Sequence, residues 1–347
     1  ISRKFRNSKI DTMRKKHFLF ASVLALLCGS STLHAQDFKL TSSGYFKNQG
    51  VDVMAFDDIY PEGHQGGVCI IMNGHRVATN GDIRLEATPG QWQPVPKQLD
   101  RKLGDNSITA TLCYPDSSRH LTGFNPMIYP DLHLIYTVNV ESKGKNIEVT
   151  VDLDRPIPQE FIGKVGFNLE FFPGSLFGKP WIMDGQSGIF PQQPNSPLMT
   201  TQPNYLHTGN YHDGKKSLAD MDKLIGKGYS PIVADDIISE PYAKGTKFTS
   251  RPDDPYNKVT IESLSGDLQL FDGRMNHNIG WFVLRSNIKP GVTKGAVKWI
   301  ITPNVVADWM YQPVIQTSQI GYHPTQDKEA VIEMDIRDNR KETAQII

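Results

Sequence analysis

Apolar and polar residues alternate with a period of two over much of this chain. The clearest case is Tyr136, Val138 and Val140, then Ile147, Val149, Val151 and Leu153, with Ser142-Lys143-Gly144-Lys145-Asn146 between them. Successive side chains of a strand point to opposite faces, so this pattern predicts a half-exposed antiparallel hairpin. Residues 51–56 alternate in the same way. Residues 68–72 are apolar without a break, as in a strand buried on both faces, and Asn73-Gly74 behind them is a strong hairpin signal. Asn80-Gly81 follows close behind. Further strands are predicted at 167–171, 259–262 and 268–271, the last ended by an Asp272-Gly273 turn. Residues 281–284 and 296–301 read as adjacent core strands. The segment 89–96, with Trp92 among prolines, is a loop.

Two stretches break the pattern. Residues 174–214 hold Pro180, Pro191, Pro194, Pro197 and Pro203 with Trp181, Phe190, Tyr205 and Tyr211 between them. So many aromatics do not suit a flexible linker, and the stretch is read as a long ordered loop. Residues 217–225 are the best helix candidate, with Ser217 as cap, Asp220 at the capping-box position and Gly226 to end it.

The fold expected is all-β: a large β-sandwich over 36–313, then the start of a smaller one over 314–347. The first exceeds the about 100 residues of an ordinary immunoglobulin-like sandwich, so a many-stranded supersandwich suits it better. In the second, Ala330, Ile332 and Met334 face one way and Val331, Glu333 and Asp335 the other, and Asp338-Asn339-Arg340 signals a turn. A single strand buries no core, so this second sandwich is expected to be truncated.

The stretch Gln319-Ile320-Gly321-Tyr322-His323-Pro324, with Lys328-Glu329-Ala330-Val331-Ile332 behind it, carries a family resemblance. It resembles the first strand of the immunoglobulin-like domain that precedes the catalytic barrel in family 9 glycoside hydrolases, the cellulases and their relatives. The family pattern runs Asn-Gln-x-Gly-Tyr-x-Pro, and Ser318 stands where the family often has Asn. The region before it has the look of an extra N-terminal β-module. The resemblance covers about 20 residues and implies a catalytic barrel beyond Ile347. That barrel would carry the family's carboxylates, so no catalytic residue is carried onto this chain.

Composition narrows the classes. Lys+Arg and Asp+Glu are both 37, so no excess of positive charge is available for nucleic acid. Met13-Arg14-Lys15-Lys16 and the apolar run 18–28 form a signal peptide over 13–35, too short to span a membrane, behind an upstream extension at 1–12. A cut after Ala35 leaves Gln36 as the mature start; a lipoprotein anchor at Cys28 is the alternative. The protein is therefore expected to be exported by a bacterium to the periplasm, cell surface or medium, with no transmembrane span in the mature chain. An oxidising location permits a disulfide between Cys69 and Cys113, and two buried thiols are the alternative.

Candidate chemistry is sparse. Glycoside hydrolysis needs two carboxyls flanking one bond. The pairs Asp57-Asp58, Asp235-Asp236 and Asp253-Asp254 are adjacent in sequence, which on a strand sends them to opposite faces, and Asp253-Asp254 lies between prolines as a turn would. His207 and His212 beside Asp213, and Asp220 with Asp222, are thin metal signals, so no metal and no cofactor is expected. Aromatics are the better signal, because the C–H faces of sugars stack on exposed rings. Trp92, Trp181, Tyr205 and Tyr211 lie in loop-like sequence beside Gln91, Gln93, Asp184, Asn204 and Asn210, and are the candidate carbohydrate-binding residues. Packing at the sandwich ends is the alternative for each. Trp281 and Trp299 are expected in the core. Arg274 and His277 lie in a polar, turn-rich stretch where they can meet a ligand or a neighbouring domain.

Together these observations predict a non-catalytic accessory region of an exported polysaccharide-degrading enzyme. It would orient a downstream catalytic domain on a β-glucan or related plant glycan. The alternative is a carbohydrate-binding module acting alone.

Overall fold

The computed structural model describes residues 37–57, 66–86, 88–90, 96–114, 132–193, 198–200, 237–275 and 280–339. The predicted leader, Cys28, the helix candidate 217–225, the loop residues 91–95 and the carboxylates Asp58, Asp235 and Asp236 all lie outside them. Two nine-stranded sheets dominate, and every strand pair in them is antiparallel. Strands are numbered in chain order. The first sheet runs β1 (Lys39–Leu40), β2 (Phe46–Asn48), β3 (Val51–Ala55), β4 (Val68–Met72), β5 (His75–Leu85), β10 (Val165–Phe171), β19 (Phe282–Asn287), β18 (Leu268–Asp272), β15 (Ala243–Gly245). The second runs β12 (Gln186–Ile189), β11 (Pro180–Met183), β16 (Lys247–Ser250), β17 (Val259–Ser263), β20 (Val297–Pro303), β9 (Asn146–Leu153), β8 (Ile135–Lys143), β7 (Ser107–Cys113), β6 (Lys97–Leu103). Two small pairs complete the described β-structure: β13 (Leu198–Thr200) with β14 (Ile237–Ser239), and β21 (Val314–Gln316) with β22 (Val331–Glu333).

The core lies between the large sheets. Phe167 meets Trp299 edge-on with ring centres 5.0 Å apart, and Phe171 meets Phe248 at 5.8 Å. Burying each such side chain contributes about 1.5–3 kcal/mol. The Trp299 indole donates to Ser286 Oγ at 3.0 Å, so the polar end of the largest buried side chain is satisfied across the sandwich. This is the all-β sandwich the alternation predicts.

Local sequence explains most of the turns. β8 and β9 close over Gly144-Lys145, with Lys143 opposite Asn146 and Tyr136 opposite Leu153. Asn73 (φ 53°) and Gly74 (φ 82°) both take the left-handed conformation that a two-residue hairpin requires between β4 and β5. Asn80-Gly81 does not turn the chain. It is a bulge inside β5, with Asn80 at φ 55° and a register shift against both neighbouring strands. A Cβ on Gly81 would stand 2.6 Å from that of Val68, so only glycine lets the two strands approach here.

Three expectations are corrected. The strands at 282–287 and 297–303 do not pair; they belong to opposite sheets and face each other across the core, because the connection between them crosses the sandwich. The stretch read as one long loop from 174 contains the hairpin β11–β12, turned by Asp184 (φ 49°) and Gly185 (φ 103°). Of the final strand expected over 330–335, only 331–333 pairs, with Ile332 opposite Ile315. Trp299 is in the core as expected, whereas Trp281 is half-buried, edge-on to Phe172 at 4.3 Å. No helix among the described residues is long and apolar enough to cross a membrane.

Candidate functional site

A groove of about 630 Å³ opens at the β1 edge of the first sheet. Its floor follows from strand register. Lys39 lies opposite Lys47, Lys47 opposite Asp52, and Asp52 opposite Ile71, so these four side chains form a row across β1 to β4 on one face. Asp52 Oδ1 is buried without a hydrogen-bond partner among the described residues. Burial raises the Asp52 pKa above the usual carboxylate value, and the nearby Lys47 ammonium opposes the shift.

The wall of the groove is the segment that leaves β20. The indole of Trp309 packs on Gly50, its carbonyl accepts from Gln49 Nε2 at 2.6 Å, and Tyr311 reaches Gly74. Asp335 fastens this wall from the other side. It accepts from the Tyr311 amide at 3.0 Å and from the Arg337 guanidinium at 3.0 Å, while Arg337 also donates to the Trp309 carbonyl. These donors, the Arg337 side chain first, hold the Asp335 carboxyl well below the usual range.

A second polar cluster lies on the face of the first sheet turned away from the Phe167–Trp299 core. Alternation on β10 and β19 puts Asn168, Glu170 and Arg285 on the face opposite Phe167, Leu169 and Leu284. Arg285, 1% exposed, donates to Glu86 Oε1 at 3.2 Å, to the Glu86 carbonyl at 2.9 Å and to Asn168 Oδ1 at 3.1 Å. Asn168 donates to Glu86 at 2.6 Å, and Asn80 to Glu170 at 2.7 Å, with Arg84 3.8 Å from Glu170. From the second sheet the Tyr136 hydroxyl donates to Asp82 at 3.0 Å and that of Tyr114 to the Ile83 carbonyl at 2.9 Å. Burial pushes Glu86 up to about 7 against the pull of Arg285, and Asp82 up to about 6 against Arg84. Chemically this is a hydrogen-bonded tie of three carboxyls and two guanidiniums linking β5, β10 and β19. Its members are nearly closed to solvent, which suits a structural role better than contact with a polymer.

Comparison with known proteins adds little to this geometry. No family profile and no curated protein matches the sequence. Among solved structures, a protein of Synechocystis sp. PCC 6803 is similar at 10% identity, over 77% of this chain and 96% of that one, with a TM-score of 0.33. A galactose mutarotase-like protein from Lactobacillus casei ATCC 334 is similar at 11% identity, over 74% and 98%, with a TM-score of 0.34. At these values the likeness assigns no activity to this chain.

The candidate residues from sequence fare as follows. Trp92, Tyr205 and Tyr211 lie outside the described residues, as do His207, His212, Asp213, Asp220, Asp222 and His277. Trp181 is not an exposed platform: it sits on β11, 6% exposed, under Gly188, where a Cβ would come within 2.5 Å of the indole. Asp184 accepts the Thr246 and Lys247 amides at 2.6 and 2.9 Å, which lowers its pKa. Arg274 does not reach outward either. It pairs with buried Asp272, donates to the Pro191 and Gln192 carbonyls at 2.8 Å, and lies 4.5 Å from the Phe282 ring centre. Asp254 caps the turn at 251–257, taking the Tyr256 amide at 2.9 Å, as the flanking prolines suggested. Asp57 lies 3.5 Å from Arg101. Cys69 is buried in β4 of the first sheet and Cys113 half-buried in β7 of the second, and no disulfide joins them. Among the described residues no three His, Cys, Asp or Glu side chains converge as a metal site.

The groove's aromatics, Trp309 and Tyr311, lie between Pro303 and Pro313 and are not among the candidates from sequence, although they carry the same signal, Trp and Tyr in proline-bounded loop sequence.

Proposed function

We propose that this β-sandwich is a non-catalytic accessory region of an exported polysaccharide-degrading enzyme. Its task is to brace the segment that leads to a downstream catalytic unit. One observation carries this reading: the seating of Trp309 and Tyr311 on the β2–β3 and β4–β5 turns, locked by Asp335 and Arg337. A segment so fastened leaves the sandwich in a fixed direction, which a flexible linker does not. Between Tyr311 and Arg337, Ile315, Ile320, Ile332 and Ile336 are exposed, as on a surface that meets further structure. The sequence resemblance at 319–332 agrees with a glycoside hydrolase as that continuation.

The test compares this chain with the same chain extended through its downstream unit. Reducing-sugar release is measured on cellulose, xyloglucan and mixed-linkage glucan. Release by the extended protein alone supports the accessory role. Turnover by this chain, lost on changing one carboxylate, overturns it.

A second reading, a carbohydrate-binding module acting alone, is favoured by the groove itself. It requires retardation of this chain on affinity gels containing a soluble β-glucan or xylan.

A further inference from the structure

We infer that the groove between the β1–β4 floor and the 309–337 wall is a binding subsite for a neutral, hydroxyl-rich glycan chain. This deepens the carbohydrate-directed reading above and rests on it.

The floor is unusual for a merely solvated surface. Lys39 and Lys47 stand directly opposite each other on neighbouring strands, an arrangement that costs stability unless something lies between or over them. Asp52, next in the row, keeps one carboxylate oxygen buried with no partner among the described residues. A buried acceptor in that condition is destabilising until a donor reaches it. The floor therefore offers two exposed ammonium groups, that of Lys47 over the Tyr45 ring, beside a carboxylate oxygen with no partner among the described residues.

The charge balance says what fits. Among the described residues the lining holds Asp37, Asp52 and Asp335 against Lys39, Lys47 and Arg337. The last acid and base of these sets satisfy each other. An anionic ligand drawn to the lysines meets Asp37 and Asp52, and a cationic one meets the lysines. A hydroxyl group serves both, because it donates to a carboxylate and accepts from an ammonium. Vicinal hydroxyls on a sugar ring present these roles at neighbouring positions. Trp309 and Tyr311, 6.3 Å apart between ring centres, supply an apolar wall for the C–H face of such a ring. A space of about 630 Å³ falls in the range of about 300–1,000 Å³ typical of small-ligand pockets. The shape and chemistry both point to a short stretch of neutral polysaccharide held beside the braced junction.

Titration calorimetry tests this with cellohexaose, xylohexaose and a mixed-linkage glucan oligosaccharide, and with oligogalacturonate as the anionic control. At least one neutral oligosaccharide is expected to bind. Lys47→Met and Asp52→Asn, with unchanged circular dichroism and melting, are each expected to weaken it tenfold or more. Arg155→Ala, on an exposed turn, should leave it unchanged. Tighter binding of oligogalacturonate than of every neutral sugar overturns the assignment. So does neutral binding that both floor variants leave intact. No binding at all removes the subsite while leaving the bracing role standing, provided the extended protein alone still releases sugar from polymer.

Discussion

The indole of Trp309 lies over Gly50 so closely that a Cβ on that glycine would stand 2.7 Å from the ring. Gly50 is also at φ +66°, where side chains are strained whatever the space. One glycine thus does two things: it turns β2 into β3, and it leaves bare backbone for an aromatic ring to sit on. The β4–β5 turn repeats the arrangement more loosely, with Gly74 under Tyr311. The direction in which the chain leaves the sandwich is set by these two turns.

Gly50→Ala is therefore expected to release the 304–339 segment while leaving the sandwich folded. Left-handed strain and the clash with Trp309 together cost about 1–3 kcal/mol. Limited proteolysis should show new cleavage within 304–339, and hydrogen exchange should rise there and in the β2–β3 turn. Unchanged protection would mean that the contact does not hold the segment.

The buried carboxyls predict a pH dependence of stability. Glu86 and Asp82 have folded-state pKa values raised to about 7 and about 6, from ordinary values of 4.5 and 3.8. Between those limits the folded state holds more protons than the unfolded one, so stability falls as pH rises. Their contribution is most favourable near pH 4, declines through pH 6 to 7, and levels off above. Each tenfold difference in proton affinity between the two states is worth about 1.4 kcal/mol, so the decline amounts to a few kcal/mol. Urea midpoints taken from pH 4.5 to 8 should trace it, and Glu86→Gln should flatten the upper part. A midpoint that climbs steadily from pH 5 to 8 would contradict it.

Period-two alternation made most of the sandwich legible. The hairpin at 135–153 could be drawn residue by residue, because Tyr136 to Val140 and Ile147 to Leu153 each bury every second side chain. Asp184-Gly185 carried the same kind of turn signal as Asn73-Gly74, but it was hidden among prolines and aromatics. The buried network was not legible, and for a physical reason. Asp82, Arg84 and Glu86 alternate with Ile83 and Leu85, which is also what a solvent-facing strand looks like. Only partners far away in sequence, Asn168, Glu170 and Arg285, make these polar side chains a buried network rather than a solvated row. Sheet membership was equally closed to local pattern: nothing within 282–303 shows that its two strands face each other rather than pair.

Arg285 is expected to be among the most costly single positions in the sandwich. Arg285→Met leaves Glu86, Asn168 and Asn287 without their common donor in a dry site. Breaking one side of a buried pair typically costs about 3–5 kcal/mol. The double variant Arg285→Met with Glu86→Gln should lose less than the sum of the two singles, because the second change removes the stranded charge. Acidification should narrow the Arg285→Met deficit, since protonated Glu86 no longer needs the guanidinium. Strict additivity in urea unfolding would show that the pair is not coupled.

Cys69 and Cys113 are predicted to behave as two thiols of unequal access in a chain begun at Gln36. They sit on strands of opposite sheets, β4 and β7, and are not bridged. Burial raises the Cys113 pKa, opposed by Lys97, so its thiolate is scarce near neutrality. Cys69 is fully buried. A thiol-reactive probe should therefore label Cys113 slowly in the native protein, faster as pH rises because only the thiolate attacks. Cys69 should label only on unfolding, and both should label in denaturant without a reducing agent. Mass spectrometry of the denatured, unreduced chain decides the matter. Two adducts mean two unbridged thiols, as the separate sheets of β4 and β7 require, and none would require a bridge that draws the two strands together.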